Sequence, residues 1–352
     1  MRVHRKIYLI LLTIVTIACQ SKIGQQEEIV VLDDANFELL KGQELHCVDT
    51  LNSYVDIRFF DKYILVTERN RENHFVVFDV SNSCIEVLRF GKRGEGPDEF
   101  GMPFPINASM RKINNEDGFV FKLFDVNQKK ISEVRFLNSI NPKAEVLINE
   151  RMDPLFVGGF ELNFFKDGTL VGKNHMEGKG NLFLFDPEIR ELKWVDFYPS
   201  VEKEPLPDKK ALAYESFIDI SEKHKMIIQA MRFFNRLNFY TSDGQLEKSI
   251  TLGNPVEPDF SQKTRYLIPR NVNFFYKGII CGTNYIYGLV DLHTSEDTTN
   301  VIVFDYEGNF IKGFQTDKEI SKFAVDEKNG LFYGLYYNPE IDGANIYSYK
   351  FQ

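Results

Sequence analysis

Paired metal-binding cysteines, clustered histidines and an excess of basic charge are all missing from this 352-residue chain. Beyond Cys19 the cysteines are Cys47, Cys84 and Cys281, an odd number with no C-x-x-C pair, which excludes a zinc knot or a dithiol redox motif. Buried free thiols are the expected state. A Cys47–Cys84 disulfide stays open as an alternative that spacing alone does not decide. Five histidines follow residue 18 (His46, His74, His175, His224 and His293), with no H-x-H or H-E-x-x-H spacing to preform a zinc site. There is no G-x-S-x-G elbow and no D-x-[DN]-x-[DN]-G loop for calcium, so no catalytic residue, metal or cofactor is expected. The formal charge of −9 argues against a nucleic-acid partner.

Aromatic residues are abundant instead, with 32 Phe and 16 Tyr, and they recur in a phrase. Phe75-Val-Val-Phe-Asp79 is an apolar strand ending in an aromatic-Asp pair, followed by the polar turn Ser81-Asn82-Ser83 and the alternating strand Cys84–Phe90. The phrase returns at Leu123–Asp125, Leu184–Asp186, Asn238–Tyr240 and Val303–Asp305, with a last echo at Ile346–Tyr349. Asp-Gly or Glu-Gly turns at Glu116–Gly118, Lys166–Gly168, Ser242–Gly244 and Tyr306–Asn309 keep step with it. Six occurrences predict an all-β fold, a six-bladed β-propeller of four-stranded antiparallel blades. Blades are expected near 54–90, 106–137, 162–197, 216–252, 272–314 and 323–351. The last holds only three strands, so an N-terminal strand around Leu45–Leu51 is expected to complete it and close the ring.

The first residues combine a basic start (Arg2, Arg5, Lys6), the apolar run Ile7–Ile17 and then Ala18-Cys19. The run is too short to span a bilayer. Thr16-Ile17-Ala18-Cys19 resembles the cleavage box of a bacterial lipoprotein signal, which implies removal of residues 1–18, lipidation of Cys19 and residence in the cell envelope as an outer-membrane lipoprotein. Cleavage removes three basic residues and no acidic one, taking the charge from −9 to −12. Residues 19–28, with Ile23 as their one large apolar side chain, read as a tether, and 29–352 as the propeller.

Gly91-x-x-Gly94-x-Gly96-Pro97-x-x-Phe100-x-x-Pro103 resembles the glycine-rich entry to an NHL-type propeller repeat. Joined to the export signal, the pattern is similar to the six-bladed, TolB-like propeller lipoproteins of Bacteroides-type bacteria. That resemblance implies a six-bladed ring on an envelope lipoprotein and carries over no catalytic residue. Physically, the glycines allow tight turns between blades, and Phe100 is expected to plug the gap. Lys92 and Arg93 could contact an anion there.

Loops joining second and third strands share one face with the blade-to-blade connections. That face receives Arg69, Arg71, Lys92, Arg93, Lys173, His175, Lys179, Arg232, Arg236, Arg265 and Arg270. Glu68, Glu72, Glu95, Glu177 and Asp297 fall in the same loops, which makes a balanced solvated rim the simpler reading. If the face binds a ligand, Arg69, Arg71, Lys92, Arg93, Arg232 and Arg270 are the candidate contacts, because several cations in a recessed mouth focus anions. Phe233-Phe234, Tyr285 with Tyr287, and Tyr336-Tyr337 are candidates for stacking on sugars, although ring packing between blades is the default role. The expected function is a monomeric, non-enzymatic binding or scaffolding module for an envelope protein or a glycan, anionic ligands included. The alternative is a metal-dependent hydrolase or lyase of lactonase-like type, whose acids and amides would converge only in three dimensions.

Overall fold

The computed structural model describes residues 26–31, 37–47, 54–69, 71–156, 159–174, 180–195, 197–202, 204–206, 210–256, 258–260, 275–292 and 298–351. Three short strands, β1 (Gln26–Val30), β2 (Phe37–Leu40) and β3 (Gln43–Leu45), precede the first blade. Blade one comprises β4 (Tyr54–Phe60), β5 (Tyr63–Glu68), β6 (Asn73–Asp79) and β7 (Ile85–Lys92). Blade two comprises β8 (Pro103–Pro105), the two-residue β9 (Arg111–Lys112), β10 (Gly118–Asp125), β11 (Lys130–Leu137) and β12 (Lys143–Arg151). Blade three is β13 (Gly159–Phe164), β14 (Leu170–Asn174), β15 (Leu182–Asp186) and β16 (Glu191–Val195), and blade four is β17 (Ser216–Ser221), β18 (Met226–Met231), β19 (Arg236–Thr241) and β20 (Leu246–Leu252). Blade five is β21 (Tyr276–Cys281), β22 (Ile286–Val290), β23 (Asn300–Phe304) and β24 (Phe310–Thr316); blade six is β25 (Ile320–Asp326), β26 (Leu331–Asn338) and β27 (Gly343–Lys350).

The expected six-bladed ring is present, and β3 pairs antiparallel with β27 as the missing fourth strand of blade six. Cys47, just past β3, is disulfide-bonded to Cys84 in blade one, with Cα atoms 4.8 Å apart. The expected free thiols at these two positions are therefore a bridge across the ring closure. Among the described residues, Cys281 is the one free cysteine. Blade two is larger than the sequence suggests, running from Pro103 to Arg151 rather than Ile106 to Leu137. Its inner strand is framed by prolines and its outer strand is mostly exposed, so neither carries the buried alternation that marks a strand.

The N-terminal segment does more than close the ring. β1 adds in parallel to β20 and β2 adds in parallel to β24, giving blades four and five a fifth outer strand. Gln26–Glu28, read from sequence as part of the tether, are thus paired strand. Each added strand carries one anchoring acid: Glu28 lies 2.6 Å from Lys248, Glu38 lies 2.6 Å from Lys312, and Glu44 accepts hydrogen bonds from Asn345 and the Tyr347 hydroxyl.

The recurring aromatic-Asp phrase has two jobs. Its apolar members fill the interfaces between blades, each with its own buried cluster. Between blades one and two, Tyr63, Phe75, Phe119, Phe121 and Phe136 interlock with Phe100, which is 1% exposed and sits edge-on to Phe75 at 6.3 Å. Phe100 thus fills the gap as its position predicts. The aspartates cap the turn into the outer strand: Asp79 Oδ1 accepts the Ser81 N–H, Asp125 Oδ1 those of Asn127 and Gln128, Asp186 Oδ1 that of Glu188, and Asp305 Oδ1 that of Asn309. A short polar side chain folded back on its own turn replaces ladder bonds that the backbone loses there.

Candidate functional site

The first strands of the blades, β4, β8, β13, β17, β21 and β25, line the axis of the ring. On the face where these strands begin, they enclose a funnel of about 720 Å³. At the opposite mouth a second cavity of about 890 Å³ opens, and Arg58 and Ile280 border both.

In four blades the ladder slips at the same height, between Tyr54 and Asp56, Phe160 and Asn163, Tyr276 and Gly278, and Ile320 and Lys322. Each slip is a bulge, which re-aims side chains that strict alternation would share between the two faces. Val55, Glu161, Leu162, Lys277 and Ser321, the residues within these slips, all line the funnel. Glu161 holds φ at +50°, a left-handed conformation that a residue with a Cβ adopts only at a cost. Its carboxylate lies 3.1 Å from Lys173 Nζ.

The funnel wall is largely apolar, with charges of both signs set into it. Asp56, 8% exposed, places Oδ2 2.8 Å from Arg58 Nη2 while its Oδ1 accepts the Ile57 N–H. Burial pushes the Asp56 carboxyl up and Glu161 adds to this, against the opposing pull of Arg58, Lys322 and the Ile57 N–H. Asp219 receives the N–H groups of Ile220 and Cys281. Lys277 reaches both Asp291 and Glu319 at 3.1 Å. Phe104, Phe124, Phe217 and Tyr276 supply apolar faces between these charges.

Of the cations singled out from sequence, Arg69 and Arg232 line this funnel together. Arg69 is exposed; Arg232 pairs with Glu215 at 2.9 Å and leans over the Phe233 ring. Arg71, Lys92 and Arg93 gather instead outside the funnel, at the connection between blades one and two. There Arg71 lies 3.7 Å from the fully buried Glu68, Lys92 pairs with Glu99, and Arg93 donates to the Arg71 carbonyl and contacts His74. Glu99 also accepts the Gly96 N–H, so this chain's own carboxylate fills the glycine-rich turn where an anion would sit. Lys173 is only 2% exposed and bonds the Ser216 carbonyl, so it belongs to the wall's interior rather than its rim. Arg236 leans over the Phe197 ring. Cys19, His175, Lys179, Arg265 and Arg270 lie outside the described residues.

The proposed stacking pairs separate in the same way. Phe233 and Phe234 are buried in a satellite cluster, Phe234 stacking on Tyr214 at 5.4 Å, and Tyr287 is buried too. Tyr285 and Tyr337 are exposed, and Tyr336 packs edge-on to Tyr347. Sequence reasoning passed over Asp56, Arg58, Asn163, Asp219, Lys277 and Lys322. The available signal was polar residues interrupting the first strand of several blades, which only the closure of the ring turns into one wall.

Asp56, Asn163 and Asp219 share the funnel, yet each is engaged by its own neighbours, Asn163 donating to the Ile218 carbonyl at 3.4 Å. Among the described residues, no group of three or more His, Cys, Asp or Glu is placed to hold a metal ion.

No curated protein matches the sequence. Among solved structures, a DUF4221-family protein from Bacteroides vulgatus superposes with a TM-score of 0.55 at 16% identity, covering 90% of this chain and 97% of that one. A luciferin-regenerating enzyme (TM-score 0.48, 10% identity, 89% and 95% covered) and regucalcin, a calcium-binding protein from Agrobacterium tumefaciens (0.47, 9%, 92% and 97%), are more distant. The likeness to the Bacteroides vulgatus protein is one of fold. A family model described as TolB-like 6-blade propeller-like matches residues 37–328, and the chain, with its six blades and closing N-terminal strand, belongs to that family.

Proposed function

We propose that this protein is an envelope-anchored, non-enzymatic binding module that holds the end of a glycan in the funnel of its loop face. The observation that carries this reading is the funnel itself. Its volume of about 720 Å³ falls within the roughly 300–1,000 Å³ range of small-molecule sites. Sugar hydroxyls donate and accept hydrogen bonds, which suits a wall where Asp56, Glu215 and Asp291 alternate with Arg58, Arg232 and Lys277, and where Phe104 and Phe217 offer ring faces. A metal-dependent reaction has less support, because the funnel's buried aspartates are committed to backbone N–H groups and to Arg58.

Export and anchoring rest on the Thr16–Cys19 box and draw support from the Cys47–Cys84 disulfide, since such bonds persist in oxidising compartments outside the cytosol. Replacing Cys19 by Ala is expected to release the protein from the membrane fraction. Binding is tested by screening the mature chain against a glycan array, followed by titration of the double variant Arg69→Ala/Arg232→Ala. Affinity should drop while the melting temperature holds, because both side chains sit at the mouth. Unchanged affinity in that variant would remove the funnel from consideration.

A further inference from the structure

The floor of the funnel holds cations that the ring's own architecture does not consume. Arg58 borders both axial cavities, and its side chain is 25% exposed. Its one charged partner among the described residues is Asp56, and its Nε has no hydrogen-bond acceptor there. Lys322, on the neighbouring β25, faces the same carboxylate and lies over the Phe217 ring, 5.7 Å from its centroid. Its ammonium group has no hydrogen-bond acceptor among the described residues. Lys173 also lies 5.7 Å from the Phe217 ring and is already bound to Glu161 and the Ser216 carbonyl. Asp56 is paired with Arg58 and Glu161 with Lys173, so Lys322 meets Asp56 only through space.

A guanidinium bordering both axial cavities beside an ammonium without an acceptor makes an arrangement seeking oxygen anions, because charge-assisted bonds are about twice as strong as neutral ones. The half-buried setting raises their value above that of a rim charge in water. We propose that Arg58 and Lys322 form an oxyanion subsite at the funnel floor, seating a carboxylate or phosphate group of the ligand against Phe217. This rests on the funnel being the binding site and adds the class of ligand: an acidic sugar, or another small molecule carrying a carboxylate or phosphate.

The test is titration calorimetry of the full mature chain in detergent at low salt with three probes: glucuronate, glucose and inorganic phosphate. Glucuronate should bind more tightly than glucose, and Lys322→Met should weaken it at least about tenfold, the effect of one lost charge-assisted bond. The Lys322 ammonium has no hydrogen-bond acceptor among the described residues, so this variant is expected to fold. Arg58→Gln should act in the same direction, but it strips Asp56 of its partner, and Lys322→Met is therefore the deciding variant. Binding of phosphate as well as glucuronate, both lost in Lys322→Met, identifies a general oxyanion site; glucuronate alone identifies a uronic-acid site. Glucose binding equal to glucuronate overturns the subsite while leaving the funnel reading intact. Glucuronate binding unchanged in Lys322→Met, or no binding of either anion, also overturns it.

Discussion

Removing the Cys47–Cys84 bridge is the sharpest test of how the ring is closed. β3 meets β27 over three residue pairs only, Leu45 with Ile346, Glu44 with Tyr347 and Gln43 with Ser348, so the non-covalent latch is short. The bridge spans 37 residues of sequence. In the chain-entropy description, closing a loop of that length removes about 13 cal/mol/K from the unfolded ensemble, or about 4 kcal/mol at 25 °C. A ring of roughly 320 residues unfolds with an entropy near about 0.7 kcal/mol/K, so the loss corresponds to a fall of about 6 °C in melting temperature. The perturbation should be the pair Cys47→Ala/Cys84→Ala rather than serine, because Cys84 is 3% exposed within the cluster between blades one and six, where a hydroxyl would lack a partner. Calorimetric melting of the oxidised protein, the protein with reductant and the double variant should give one high and two matching lower transitions. Identical melting of all three would refute the reasoning, and alkylation of three cysteines without prior reduction would refute the bridge itself.

Two further outcomes follow from single residues. Gly91 has φ +76°, and a Cβ there would fall 2.5 Å from the Phe75 ring, whereas Gly253, at φ +68°, has nothing within 4 Å. Gly91→Ala should therefore cost about 1–3 kcal/mol more than Gly253→Ala in denaturant titrations; equal costs would show that the close approach to Phe75 is unimportant. His74 is 3% exposed, and burial holds its imidazole below the ordinary histidine value, with Arg93 acting in the same direction and the Phe100 carbonyl opposing. The unfolded chain then takes up a proton at higher pH than the folded one, so stability should fall as pH drops below about 6.5. His74→Gln should flatten that part of the stability curve, and an unchanged slope would acquit His74.

Asp79, Asp125, Asp186 and Asp305 show how far local chemistry carries the sequence. An apolar run, a carboxylate and a turn lie within a few residues, so the blade count was readable from one strand pair. The same holds for Phe100, whose place in a glycine-rich connection leaves an aromatic ring nowhere to go but the gap between blades.

Strands β1 and β2 were not readable, because a fifth outer strand has one exposed face and borrows its register from β20 and β24, which lie more than 200 residues away. The funnel was hidden for a related reason. Arg69 and Arg232 could be assigned to one face by counting loops, but Arg58, Lys277 and Lys322 sit within strands, and four bulges decide which of their neighbours point at the axis. Strand, turn and repeat were thus determined by the sequence, where alternation and turn residues act over short distances. Which charges meet at the centre was decided only when the ring closed, because those contacts join blades and depend on slips in register that no local pattern encodes.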